Sequence, residues 1–148
     1  MSDEDAIREK LRKIEALFAG AATPGEKAAA GAAAERIRAR LRESERREPA
    51  MEFRFSLADP WTRRLFIALC RRYGLRPFRY PRMHRQSVVV KMPQSFLDQV
   101  LRPEFTEINA ALTDYLARIT DKVIRAEVYK EASEAEEIPE PITWAGGS

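Results

Sequence analysis

The stretch MEFRFSLADPWTRRLFIALCRRYGLRPFRYPRMHRQSVVVKM, residues 51–92, switches from a period of two to a helical period and back, and it decides the fold. Phe53, Phe55 and Leu57 alternate with Glu52, Arg54 and Ser56, the pattern of a half-buried strand. Asp59-Pro60 then supplies an N-cap residue and a proline suited to the first helical position. A helix is expected through Trp61, Leu65, Phe66, Leu69 and Tyr73. Gly74 ends it, with Leu75 placed to fold back in a Schellman-type contact. Arg76 to Tyr80 is expected as a short strand, held to a sheet edge because Pro77 and Pro81 lack an amide donor. Ser87 to Met92 is a clear strand, and Pro81 to Gln86 joins the two as a hairpin tip.

Upstream, the chain reads as a helical hairpin. Ser2 and Asp5 resemble a capping box, and Ile7, Leu11, Ile14 and Phe18 form one apolar stripe. Gly20 supplies the stop, and Thr23-Pro24-Gly25-Glu26 restarts a helix. The second helix carries Ala28, Ala29, Ala32, Ala33, Ile37 and Leu41 on its expected inner face. Its arginines, Arg36, Arg38, Arg40 and Arg42, spread around the helix beside Glu35 and Glu43, as on a solvated end.

Downstream, Pro93 opens a helix over 94–101, and Pro103 is expected to break or kink it. Phe105, Ile108, Leu112, Tyr115 and Ile119 then mark a long amphipathic helix to about Tyr129, with Leu116 and Val123 widening the stripe. The Glu-rich sequence beyond it is expected to be disordered. The fold class is therefore α+β: an N-terminal helical hairpin, a small three-stranded sheet in the order strand-helix-strand-strand-helix, and a long C-terminal helix. The expected divisions are a hairpin over 1–45, a linker over 46–50, a small α+β domain over 51–129 and an acidic tail over 130–148.

The hairpin has a recognisable texture. Lys13-Ile14-x-x-Leu17, Thr23-x-x-Glu26-x-x-Ala29-Ala30 and Ala34-x-x-Ile37 resemble a bacterial domain-of-unknown-function family whose Ala-rich helical hairpin carries a K-I-x-x-L…E-x-x-A-A…A pattern. The resemblance covers about residues 10–42. Arg36-Ile37-Arg38-Ala39-Arg40 stands where that pattern would have a Leu/Met-rich helix end. The resemblance implies a soluble bacterial or phage-type protein and offers no catalytic residues to carry over.

Across 148 residues the formal net charge is only +3, and that mild total conceals a strong asymmetry. Residues 1–49 hold 11 basic and 10 acidic side chains, residues 50–103 hold 11 and 3, and residues 104–148 hold 4 and 10. The basic middle is densest at 71–85, where six arginines and no acid surround Tyr73, Phe78 and Tyr80. Arginine keeps its charge and offers forked donors that match phosphate, and aromatic rings between arginines can stack bases. The expected nucleic-acid-binding residues are Arg71, Arg72, Arg76, Arg79, Arg82, Arg85, Lys91 and Tyr80. A structural reading competes with this one, in which the aromatics belong to the core and the arginines answer the acid-rich final third.

One cysteine and one histidine exclude a disulfide scaffold, a structural zinc site and the usual His-based triad. Cys70 reads as a buried hydrophobe and His84 as a turn residue. No enzyme activity, metal or cofactor is expected. The expected function is non-enzymatic nucleic-acid (polyanion) binding, to RNA or DNA, by a cytoplasmic protein with no membrane segment. The alternative is a protein-protein interaction or scaffold module, homodimeric through the C-terminal amphipathic helix. Glu131 to Glu140 would compete with phosphate for the basic segment, and Trp144 would anchor a partner.

Overall fold

The computed structural model describes residues 8–9, 11–12, 14–16, 20 and 22–142. The expectations at Ser2, Asp5, Ile7, Lys13, Leu17, Phe18 and Trp144 lie outside the described residues. The chain divides into two compact units, Met1–Tyr115 and Leu116–Ser148.

In the first unit, Arg8, Glu9, Leu11, Arg12 and Ile14 to Ala16 are helical, and Gly20 turns the chain with φ 72°. Helix α1 spans Pro24–Arg47. The Thr23 hydroxyl accepts from the Glu26 amide at 3.1 Å, the cap that the restart signal predicts. Its inner face is not the expected one. Ala34 and Leu41 are buried and Ala30, Ala33 and Ile37 half-buried, while Ala28, Ala29 and Ala32 are exposed. With six alanines between 28 and 34, only Ile37 and Leu41 set the rotational phase, and counting back from them selects Ala30, Ala33 and Ala34.

Strand β1 (Met51–Ser56) pairs antiparallel with β2 (Ser87–Met92), with Phe53 opposite Val90 and Phe55 opposite Val88. These residues face the core, and Glu52, Arg54, Ser56 and Lys91 are exposed on the other face. The three-stranded sheet is not formed. The expected edge strand, Arg76 to Tyr80, shrinks to one bridge in which Phe78 and Val89 exchange backbone bonds at 2.8 Å. Pro77 and Pro81 flank that bridge and can donate nothing to β2. The Tyr80 amide turns instead to the Met83 Sδ at 3.3 Å.

Helix α2 spans Pro60–Arg72. Asp59 caps its start, accepting from the Trp61 amide at 2.9 Å and the Thr62 hydroxyl at 3.1 Å. Its end is a Schellman motif: the Leu75 amide reaches the Cys70 carbonyl at 2.9 Å, and the Gly74 amide reaches Arg71 at 3.1 Å. Gly74 has φ 83°, a conformation that glycine adopts without cost, which is why the helix stops there. Trp61, in the first turn of this helix, is 56% exposed, with Arg64 5.6 Å above its ring.

A short turn, Gln94–Phe96, leads through a π-helical turn, Leu97–Leu101, into helix α3, Arg102–Glu127. Pro103 does not break the helix. The Arg102 amide donates to the Leu97 carbonyl, five residues back, and this widened turn relieves the clash a proline ring makes with the preceding turn. Pro93 offers no side-chain cap at the start, so Glu48 supplies one from the end of α1, accepting from the Ser95 amide at 2.9 Å.

The core gathers Phe66, Leu69, Cys70 and Tyr73 from α2, Val88, Val90 and Met92 from β2, and Phe96, Leu97 and Leu101 from the π-turn region. Ala34 and Leu41 of α1 belong to the same cluster, and Phe105 and Ile108 of α3 pack against it. Phe66 centres an aromatic column, 4.7 Å from Phe55 and 5.3 Å from Phe105. In the second unit α3 ends at Glu127, and residues 129–142 form no helix or strand. Ile119 is 43% exposed and Val123 52%, so the apolar stripe is covered only in its first half. No helix among the described residues is long and apolar enough to cross a membrane.

Candidate nucleic-acid interface

The segment from Arg76 to Gln86 is built from two consecutive tight turns. The Met83 amide donates to the Tyr80 carbonyl at 3.3 Å, and the Ser87 amide to the His84 carbonyl at 2.9 Å. In the first turn Pro81 occupies the second position and Arg82 the third, where φ is 72°. A positive φ after proline defines a type II turn, whose third position favours glycine. An arginine is held there at a conformational cost of about 1–2 kcal/mol. Arg82 is exposed at the tip.

The second turn brings Arg79 and Arg85 together, with the Arg79 Nη1 donating to the Arg85 carbonyl at 3.0 Å. Both line a groove of about 230 Å³ whose opposite wall is α2. On that wall Arg63, Ile67 and Arg71 lie four residues apart and share one helix face. Arg63 is anchored by an Nη1 bond to the Leu57 carbonyl at 2.8 Å. Phe78 contributes apolar surface, and no carboxylate lines the groove. Among the described residues none of these four arginines forms an ion pair. Four guanidinium groups therefore share one groove with no neutralising acid.

The other expected residues are dispersed. Arg76 and Arg82 are exposed outside the groove. Arg72 turns the other way, donating to the Ala30 carbonyl of α1 at 2.8 Å. Lys91 lies on the outer face of the sheet, in register with Glu52. Tyr80 covers part of that face: its ring meets Phe78 edge-on at 5.2 Å, Arg54 sits 5.6 Å above it, and its hydroxyl donates to the Glu52 carboxylate. That bond, more than any other influence, raises the Tyr80 phenol above its ordinary range. Tyr80 stays 40% exposed, whereas Tyr73 is 4% exposed and packed edge-on against Phe96.

His84 is exposed, and its Nδ1 accepts from the Gln86 amide at 3.2 Å. Cys70 is fully buried, and burial pushes its thiol up to about 12. Among the described residues, no group of three or more His, Cys, Asp or Glu side chains is gathered to hold a metal. Arg63 and Arg54 lie outside the arginine cluster at 71–85. Arg63 was detectable in sequence because it lies two turns before Arg71 and in line with Ile67, on the flank of the apolar stripe of α2. Arg54 was not, because its nearness to Tyr80 arises from the fold over of the loop onto the sheet.

Comparison with family models, with curated proteins and with solved structures returns no match.

Proposed function

We infer that this chain is a non-enzymatic nucleic-acid-binding protein acting in the cytoplasm, with the groove between α2 and the 77–88 segment at the centre of its contact surface. The observation that supports this reading is the confinement of Arg63, Arg71, Arg79 and Arg85 in one groove without a carboxylate. Arginines with no acid partner keep all their charge available for phosphate. Arg82 at the tip, Arg76, and Lys91 on the sheet extend the same sign of charge beyond the groove, and Tyr80 offers an exposed ring.

The test is a titration against short RNA and DNA at several salt concentrations. If six phosphates are contacted, log affinity falls against log salt with a slope of about −5 on duplex DNA and less steeply on single strands. Changing Arg79, Arg82 and Arg85 to Glu should abolish binding. Absence of binding at low salt, or equal binding by the triple variant, refutes the reading.

A second reading draws on the second unit, where Ile119, Val123, Val128 and Tyr129 are all exposed. Large apolar side chains clustered along a helix end favour a protein-interaction or scaffold role, homodimeric through this helix. Light scattering decides it: a strict monomer at high concentration removes the homodimer.

A further inference from the structure

The groove has a property that general polyanion binding leaves unused: it concentrates more charge than a nucleic-acid backbone phosphate brings. A phosphodiester carries one negative charge. A phosphate monoester at neutral pH carries about 1.5 to 2 and presents three acceptor oxygens. Arg63, Arg71, Arg79 and Arg85 line a single space of about 230 Å³. Two of the four are oriented by backbone bonds, Arg63 to Leu57 at 2.8 Å and Arg79 to Arg85 at 3.0 Å, which leave their remaining N–H groups to point elsewhere. Ile67, Phe78 and Val88 supply apolar walls, which strengthen a charge-assisted bond formed between them. Like charges gathered in this way repel one another in the free protein, and the anion that relieves the repulsion best is the one with the most charge in the least volume.

We propose that the groove is a site for a phosphate monoester, the group found at the end of a nucleic-acid strand, held by Arg63, Arg71, Arg79 and Arg85. This rests on the nucleic-acid reading above and adds to it that a strand is gripped by its end. The remaining arginines then contact the internal diester phosphates that follow.

The experiment compares one single-stranded oligonucleotide in three forms: with a 5′-phosphate, with a 3′-phosphate, and with hydroxyls at both ends. Binding is read by fluorescence anisotropy at low salt. One phosphorylated form should bind about tenfold more tightly than the hydroxyl form. Arg71→Gln, whose side chain makes no hydrogen bond or ion pair among the described residues, should erase that preference while the protein keeps its melting temperature. Arg63→Gln should do the same, and because Arg63 also holds Leu57, Arg71→Gln is the variant that decides if Arg63→Gln fails to fold. Arg76→Gln, outside the groove, should weaken all three forms equally. Equal affinity for the three forms overturns the end-phosphate site and leaves general strand binding standing. Binding of adenosine 5′-monophosphate that depends on Arg71, with no oligonucleotide bound, keeps the monoester site and overturns the strand reading. Loss of the preference in Arg76→Gln and its survival in Arg71→Gln would also overturn the assignment.

Discussion

Arg38 and Arg72 brace one joint from opposite sides. Arg38 Nε donates to the Arg72 carbonyl at 2.7 Å, and the Arg72 guanidinium donates at 2.8 Å to the Ala30 carbonyl on the helix that carries Arg38. The Arg72 carbonyl is one of the last four of α2, which have no acceptor role inside the helix. Its three predecessors accept from Tyr73, Gly74 and Leu75, so Arg38 completes the end of the helix. Two arginines that sequence assigned to solvent and to nucleic acid are thus fasteners between α1 and α2.

Each of these bonds should contribute about 1 kcal/mol, the usual net value for a hydrogen bond that water competes for. Arg72→Ala and Arg38→Ala should each lower the urea midpoint accordingly. Arg72→Ala should change nucleic-acid affinity far less than Arg71→Ala, its neighbour on the groove wall. An equal loss of affinity in the two variants would return Arg72 to the binding surface.

Arg82 should show the opposite division of effects. At φ 72° in the third position of a type II turn, it occupies a site that glycine fills without strain. Arg82→Gly should raise stability by up to about 1 kcal/mol, after the greater entropy of glycine in the unfolded chain is deducted. Arg82→Val, β-branched, should lower it. The same Arg82→Gly change removes a tip cation and should reduce the salt slope of binding by about 1 if Arg82 touches phosphate. Denaturant titrations and salt series on the two variants separate these effects.

Local signals in this sequence were legible, and non-local ones were not. The Thr23 and Asp59 caps, the Gly74 stop with Leu75, and both strands of the sheet follow from residues within a few positions of each other, and the structure contains them all. The phase of α1 was obscured because alanine tolerates either face. Pro103 misled because a π-turn, a feature of the neighbouring backbone, absorbs it. The third strand failed by competition: Phe78 pairs with Val89, but the next donors are proline or are claimed by the turn at Tyr80. For the candidate site, six arginines were visible as a cluster, and the groove that selects three of them appears only when α2 packs beside the loop and adds Arg63.

Alkaline pH should destabilise the protein in two overlapping steps. Burial raises the Cys70 thiol from 9.0 to about 12 and the Tyr73 phenol from 10.0 to about 12. In both cases the folded value lies above the unfolded one, so the unfolded chain loses its proton first. The stability these groups contribute is complete below pH 9, falls as pH rises past 9 for Cys70 and past 10 for Tyr73, and is gone by about 12. Cys70→Ala should flatten the decline between pH 9 and 10 and make it shallower between 10 and 12, where the Tyr73 share remains. In the native protein Cys70 should resist a thiol reagent at pH 8, and its reaction in urea should follow the unfolding curve. A fast-reacting native thiol would contradict its burial.

Glu52 is the remaining control on the sheet face. It is the acid beside Tyr80, it lies in register with Lys91, and it is 3.7 Å from Arg54. A carboxylate there repels phosphate and engages the phenol that a base would approach. Glu52→Gln should therefore tighten nucleic-acid binding about two- to threefold, the effect expected from deleting one like charge at an exposed surface. It should also let the Tyr80 phenol fall back toward its ordinary value, because the Glu52 bond is the largest influence that raises it. Absorbance titration of the tyrosines reports the second effect independently of any ligand. If the phenol titration moves and affinity does not, Tyr80 and the outer sheet face lie outside the contact surface, and binding is confined to the groove of Arg63, Arg71, Arg79 and Arg85.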